Sequence, residues 1–277
     1  MPILFAVMSL CCAAANDVVY KRRSTRADES YRHLVIVSLV WAVVFIGPAL
    51  PLSGWTAAAL RWGILSGLAG VCAHLLLLAA MRGCEATTCS TIYRLNLVPA
   101  TLIAVVAFGE HLTVAKALAI SAAIGALGLF AGGGRQVSRR HLLLALCACL
   151  LRAVMALAYK QGLDQGCGAM PLLAVNGLCW SAGSLAWLLA VSRVHLRQWD
   201  RHQLSWGLLS GILVSGNVLF LTLALARAPI TTVLPISQLS FVLTAVLGFL
   251  LYREPLGAAR MAGIGLAVCS VILLSCA

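Results

Sequence analysis

Read along the chain, the dominant pattern is a succession of apolar runs of about 20 residues separated by short polar breaks. A helix rises about 1.5 Å per residue, so a run of about 20 apolar residues crosses the hydrocarbon core of a bilayer. By that rule the chain holds ten spans. They lie at about residues 2–20, 34–52, 57–81, 86–107, 112–131, 141–160, 169–191, 203–226, 230–251 and 256–276. The expected fold class is an all-α membrane protein with ten transmembrane helices. The breaks between spans three and four and between spans eight and nine are a few residues long, which makes those neighbours antiparallel hairpins.

Two of the runs are polar near their centres. Span four carries Arg94 and Asn96, with Pro99 just after them. Span nine carries Pro235 and Gln238. A central arginine costs about 3 kcal/mol to insert, so it is expected to face a partner or a water-filled cavity. Residues 61–130 align on 205–274 without a gap, and Arg94 then falls on Gln238. The landmarks include Trp62/Trp206, Gly63/Gly207, Ser66/Ser210, Gly67/Gly211, Glu110/Glu254 and Leu112/Leu256. Shared hydrophobicity does not place Trp, Gly and Glu in register, so this is an internal repeat. A weaker match sets Tyr20-Lys21 on Tyr159-Lys160. The expected domains are a first five-helix repeat at 1–131, a Gly-rich basic linker at 132–139 and a second five-helix repeat at 140–277. Five crossings per repeat turn the second upside down relative to the first, an inverted-topology architecture. Gly63 with Gly67, and Gly207 with Gly211, are small-xxx-small pairs that let spans three and eight approach a neighbour closely.

Composition sharpens this picture. Hydrophobic residues make up 62% and charged residues 10%, outside the range of soluble domains. The formal charge of +12 belongs to loops, as membrane topology requires, and no basic extramembrane domain exists to hold nucleic acid. Most of the 11 cysteines lie in apolar runs, where Cys is a small hydrophobe, and Cys84 and Cys89 lack a histidine pair for a metal. The first run has its charges after it, not before it, and reads as a retained helix. Trp55, Trp62, Trp199 and Trp206 sit near span ends as interface anchors. Most Lys and Arg fall on one side, against Arg61, Lys116, Lys160 and Arg227 on the other; the positive-inside rule then puts both termini outside the cytoplasm.

Two five-helix repeats, a Glu after spans four and nine, and Tyr-Lys closing spans one and six resemble the drug/metabolite transporter superfamily, EamA type. Gly109-Glu110-His111-Leu112 matches the Gly-Glu-x-Leu hinge of that family, and Glu254-Pro255-Leu256 matches it with Arg253 in place of the Gly. The resemblance implies a secondary transporter that moves a small organic solute such as a carboxylate, amino acid or phosphonate through a central cavity. It also implies a multi-pass protein of the bacterial cytoplasmic (inner) membrane, with both termini in the cytoplasm, opposite to the charge pattern. The expected partners are the solute and the lipid bilayer, as a monomer or homodimer.

The candidate substrate-binding residues follow from depth and polarity. Arg94 and Arg152 lie mid-span, and Asp17 is the one acid clearly inside a span. The excess positive charge suits an anion, because Arg forks onto carboxylate or phosphate oxygens. The competing reading pairs Asp17 with Arg152. Asn96 and Gln238 keep the same level polar in both halves. His74 and Asn217 lie mid-span at nearly mated positions, and Tyr93 and Tyr159 are placed to bond a solute or simply pack. Glu110 and Glu254 are expected to cap the helix that follows each. Pro99 and Pro235 each free a carbonyl that can face the cavity. No cofactor or nucleotide motif occurs. The alternatives are a lipid-flipping accessory protein and an intramembrane enzyme. Ser66-Gly67 with His74 faintly suggests the latter, but Ile64 stands where Gly-x-Ser-Gly needs glycine, so enzyme activity is not expected.

Overall fold

In hydrocarbon every backbone N–H and C=O must be satisfied within the chain, and the long apolar runs meet that need as helices. The computed structural model describes residues 1–23, 27–50, 55–82, 92–131, 138–191, 201–252 and 257–276, and no strand occurs among them. The helices are α1 (Pro2–Arg23), α2 (Ala27–Ala49), α3 (Ala57–Ala80), α4 (Leu97–Phe108), α5 (Val114–Ala131), α6 (Arg139–Asp164), α7 (Ala169–Val191), α8 (Arg201–Leu225), α9 (Ile230–Gln238), α10 (Ser240–Tyr252) and α11 (Ala258–Cys276). Six of them, α1, α2, α3, α6, α7 and α8, are long and apolar enough to cross a membrane. The remaining four expected spans appear as shorter apolar helices, Ile92–Phe108, Val114–Leu129, Ile230–Thr244 and Met261–Ser270. Most of the expected linker, the start of span four with Thr87 and Thr88, Cys84, Cys89, Trp199 and Glu254 lie outside the described residues.

Helix pairing follows the repeat. The packed pairs include α3 on α6 and α8 on α1, α3 on α7 and α8 on α2, α2 on α7, α5 on α11, α1 on α9 and α10 with α4 on α6, and α4 on α9. Exchanging the two halves of the chain leaves this set unchanged. The glycine pairs make two of these contacts. A Cβ on Gly63 would stand 2.6 Å from Val175 Cβ, and one on Gly67 would stand 2.6 Å from Cys179 Cβ. On the other side, a Cβ on Gly207 would stand 2.6 Å from Ile36 Cγ2, and one on Gly211 would stand 2.5 Å from Val40 Cβ. The partners are in register as well: Ile36 and Val40 fall on Val175 and Cys179 in the same alignment that sets Tyr20 on Tyr159. Trp41 falls on Trp180 in that alignment, and the two rings meet edge-on at 4.7 Å. Close backbone approach through paired glycines is how membrane helices gain dispersion contacts without a hydrophobic driving force.

Specific polar ties link the helices inside the bundle. Ser38 and Ser184 hydroxyls lie 2.9 Å apart, the Ser181 hydroxyl donates to the Ser38 carbonyl at 2.8 Å, and Asn176 donates to Ser66 at 2.9 Å. The Ser270 hydroxyl donates to the Ala119 carbonyl at 2.7 Å and ties α11 to α5. Large apolar side chains such as Leu60, Val106, Leu143 and Ile212 point outward. That outward apolar surface is the side a bilayer covers.

Candidate functional site

The site is built around two helix breaks at mated positions. Leu95 N–H donates to the Ile92 carbonyl at 3.1 Å and Val98 N–H to the Leu95 carbonyl at 2.9 Å. In the second half Leu239 N–H donates to Ile236 at 3.1 Å and Val242 N–H to Leu239 at 3.0 Å. These tight turns replace ordinary helical bonds at Ile92, Leu95 and Val98, which the repeat alignment sets on Ile236, Leu239 and Val242. In the first half the cause is local. The Asn96 side-chain amide donates to the Tyr93 carbonyl at 2.8 Å and competes with the helix for it. Prolines do not set the breaks in common, because Pro99 falls on Leu243 and Pro235 lies within α9. The Leu95 carbonyl that Pro99 releases is taken by Val98 and is not left open to a cavity.

Across the breaks the two halves exchange hydrogen bonds. Arg94 Nη1 donates to the Ser240 hydroxyl, and Gln238 Nε2 donates to Asn96 Oδ1 at 3.4 Å. Arg94 falls on Gln238 and Asn96 on Ser240 in the repeat, so each bond is the counterpart of the other. Arg94 Nη2 also forms an ion pair with Asp17 of α1. Thr244 Oγ1 lies 3.0 Å from both the Asp17 carboxylate and the Ser240 carbonyl oxygen. The alternative that Asp17 pairs with Arg152 is therefore corrected: Arg94 holds it.

Arg152, midway along α6, is left without a carboxylate among the described residues. Asp17 is held by Arg94, Asp164 by Lys160 at 2.8 Å, and Glu110 by backbone amides. Arg152 Nη1 reaches only the Met155 sulfur at 3.3 Å, and its guanidinium lies 5.9 Å from the centre of the Tyr93 ring. His74 of α3 sits beside it. Its Nδ1 lies 3.1 Å from the Gly70 carbonyl oxygen and 3.4 Å from the Tyr93 hydroxyl. Its ring meets Tyr93 edge-on at 5.7 Å and Trp180 at 4.9 Å.

The candidate residues thus fall into two adjoining groups. Arg94, Asp17, Asn96 and Gln238 tie the halves together, while Arg152, His74 and Tyr93 form a cationic aromatic cluster. Asn217 joins neither group in its bonding: its Oδ1 accepts from Ser9 at 2.6 Å and links α8 to α1. Ser240 and Thr244 escape a polarity scan because short hydroxyls are common in membrane helices. Alignment with Asn96 is the one signal that singles out Ser240.

Glu110 is a cap, but of a different helix from the one expected. Its two carboxylate oxygens accept from the Ile230 and Thr231 amides at 2.8 and 3.0 Å, so it crosses to the N-terminus of α9. Thr113 accepts from the Lys116 amide at the start of α5 instead. A cleft of about 320 Å³ opens beside it, lined by Phe108, Glu110, Lys160, Asp164, Arg227 and Pro229 among others. Carboxylate capping of helix amides contributes about 0.5–2 kcal/mol. Glu110→Ala is expected to lower stability by about that amount in thermal unfolding of the purified protein, and Glu110→Gln by less, since one acceptor oxygen remains.

Six apolar spans with charged groups held between them define an integral membrane protein of polytopic helical type. Residues 139–276 match the model of the EamA-like transporter family, and the chain belongs to that family, part of the drug/metabolite transporter superfamily. Among solved structures 29 chains are similar in fold. One, a crystal structure described only as that of a protein, superposes with a TM-score of 0.78 at 15% identity, covering 98% of this chain and 95% of that one. No curated protein matches.

Proposed function

We propose that the protein is a secondary transporter that moves a small organic anion across the membrane by alternating access. Ten spans in two inverted five-helix repeats, 1–131 and 140–277, form its moving parts. The observation that carries this reading is the crossed pair Arg94–Ser240 and Gln238–Asn96 at mated helix breaks. Interrupted helices meeting between inverted repeats are how secondary carriers build a solute site near the midplane. The solute site lies at Arg152, His74 and Tyr93. Arg94, Asp17, Asn96 and Gln238 form its hinge-side wall, and Asn217 steadies α1 against α8. The charge balance supports an anion, since Asp17 offsets one central arginine and leaves the other uncompensated. A bacterial cytoplasmic membrane is the proposed location, and the chain works as a monomer or homodimer.

Uptake of labelled carboxylates, phosphonates and amino acids into proteoliposomes tests the reading against its rivals. Saturable, protein-dependent uptake of an anion is expected. Scrambling of labelled lipid without solute uptake would instead indicate a flippase-like protein, and chemical conversion of the solute an enzyme.

A further inference from the structure

Around Arg152 the protein gathers hydrogen-bond donors and leaves them without partners. Tyr159 is 0% exposed and Trp180 3% exposed, and neither the Tyr159 hydroxyl nor the Trp180 Nε1–H has a hydrogen-bond partner among the described residues. Tyr159 lies two turns from Arg152 on the same face of α6. Trp180 packs on the His74 ring, which meets Tyr93 beside the Arg152 guanidinium. The Gly70 carbonyl can only accept, so His74 Nδ1 carries the proton and cannot take one from Tyr93. The Tyr93 O–H is thereby free to donate. A buried donor left unpaired is costly, and two in one cluster beside an unpaired guanidinium call for an acceptor-rich occupant.

We propose that this cluster binds a carboxylate carried on an apolar body that has no ammonium group; the proposal names the solute class of the transporter reading above and rests on it. Arg152 takes the carboxylate oxygens, with Tyr159 and Tyr93 as further donors. The edge-to-face series Trp41, Trp180, His74 and Tyr93 supplies the apolar wall for the body. An amino acid is disfavoured by its second charge. Its ammonium group would meet the Arg152 charge, and Asp17, Asp164 and Glu110 are each engaged elsewhere.

Phenylacetate, phenylalanine and phenethylamine share one body and differ in the head, so they isolate the claim. Calorimetric titration of the purified protein is expected to show phenylacetate binding at least tenfold more tightly than either of the others. Arg152→Gln is expected to weaken phenylacetate binding at least tenfold. Tyr159→Phe, which removes only the hydroxyl, is expected to weaken it several-fold and covers the case in which Arg152→Gln does not fold. Equal or tighter binding of phenylalanine or phenethylamine, absence of phenylacetate binding, or binding indifferent to both substitutions overturns the site. Uptake into proteoliposomes separates the two readings. Carboxylate binding without transport of any solute leaves the site standing and refutes the transporter, while transport of a solute that is not a carboxylate does the reverse.

Discussion

Arg94→Gln is expected to destabilise the protein by about 3 kcal/mol, whereas Arg152→Gln is expected to cost far less. Arg152 sits midway along α6 and Arg94 beside a helix break, and the difference comes from what each leaves behind. Removing Arg94 strands the Asp17 carboxylate with only Thr244 to bond it. Breaking a buried ion pair costs about 3–5 kcal/mol because the remaining charge is uncompensated, and the low end applies here since Asp17 keeps 31% of its side chain exposed. Removing Arg152 strands no carboxylate among the described residues. The expected signature is rescue: the double substitution Asp17→Asn with Arg94→Gln recovers most of the lost stability, because no lone charge remains. Chemical unfolding of the four proteins in detergent measures this. Additive losses in the double variant would contradict the pairing.

The second large effect concerns the helix crossings. Gly67→Ala places a Cβ 2.7 Å from the Asn176 carbonyl oxygen, a backbone atom that cannot swing aside. Gly211→Ala places one 2.5 Å from Val40 Cβ. Each is expected to push its helix pair apart and to cost about 1–3 kcal/mol by overpacking. Gly128→Ala, with nothing within 4 Å, is the control and is expected to gain up to about 1 kcal/mol from improved helix propensity. Thermal unfolding of the three variants reads the contrast. A loss at Gly128 equal to those at Gly67 and Gly211 would mean that the close crossings do not exist.

Much of this was legible in the residues. Apolar run length gave the helices, and the glycine pairs pointed to the close crossings because only glycine leaves room for a facing backbone. The gapless alignment also held the helix breaks, since Ile92, Leu95 and Val98 recur as Ile236, Leu239 and Val242. That signal is easily passed over: apolar identities in a membrane chain look like shared hydrophobicity, and the conspicuous prolines draw attention to positions that are not mates. Partner choice was not legible. Asp17 lies many residues from both arginines in sequence, and helix packing alone brings α1 against α9 and α10, where Arg94 reaches it. Glu110 was readable as a cap from its charge, but which helix it caps depends on α4 ending beside α9. Tyr159 and Trp180 look like ordinary aromatic packing until their polar atoms are found without partners.

Counterflow tests the central claim most directly, because it responds to a single site that faces each side in turn. Proteoliposomes are loaded with an unlabelled solute that binds the purified protein, then diluted into a trace of the same solute carrying a label. The account predicts a transient overshoot, in which labelled solute accumulates inside above its external concentration and then decays as the unlabelled pool runs down. The overshoot should vanish in Arg152→Gln and persist in Gly128→Ala, where an added Cβ meets nothing within 4 Å. Label that merely rises to equilibrium, or that never exceeds the level in protein-free liposomes, would contradict alternating access.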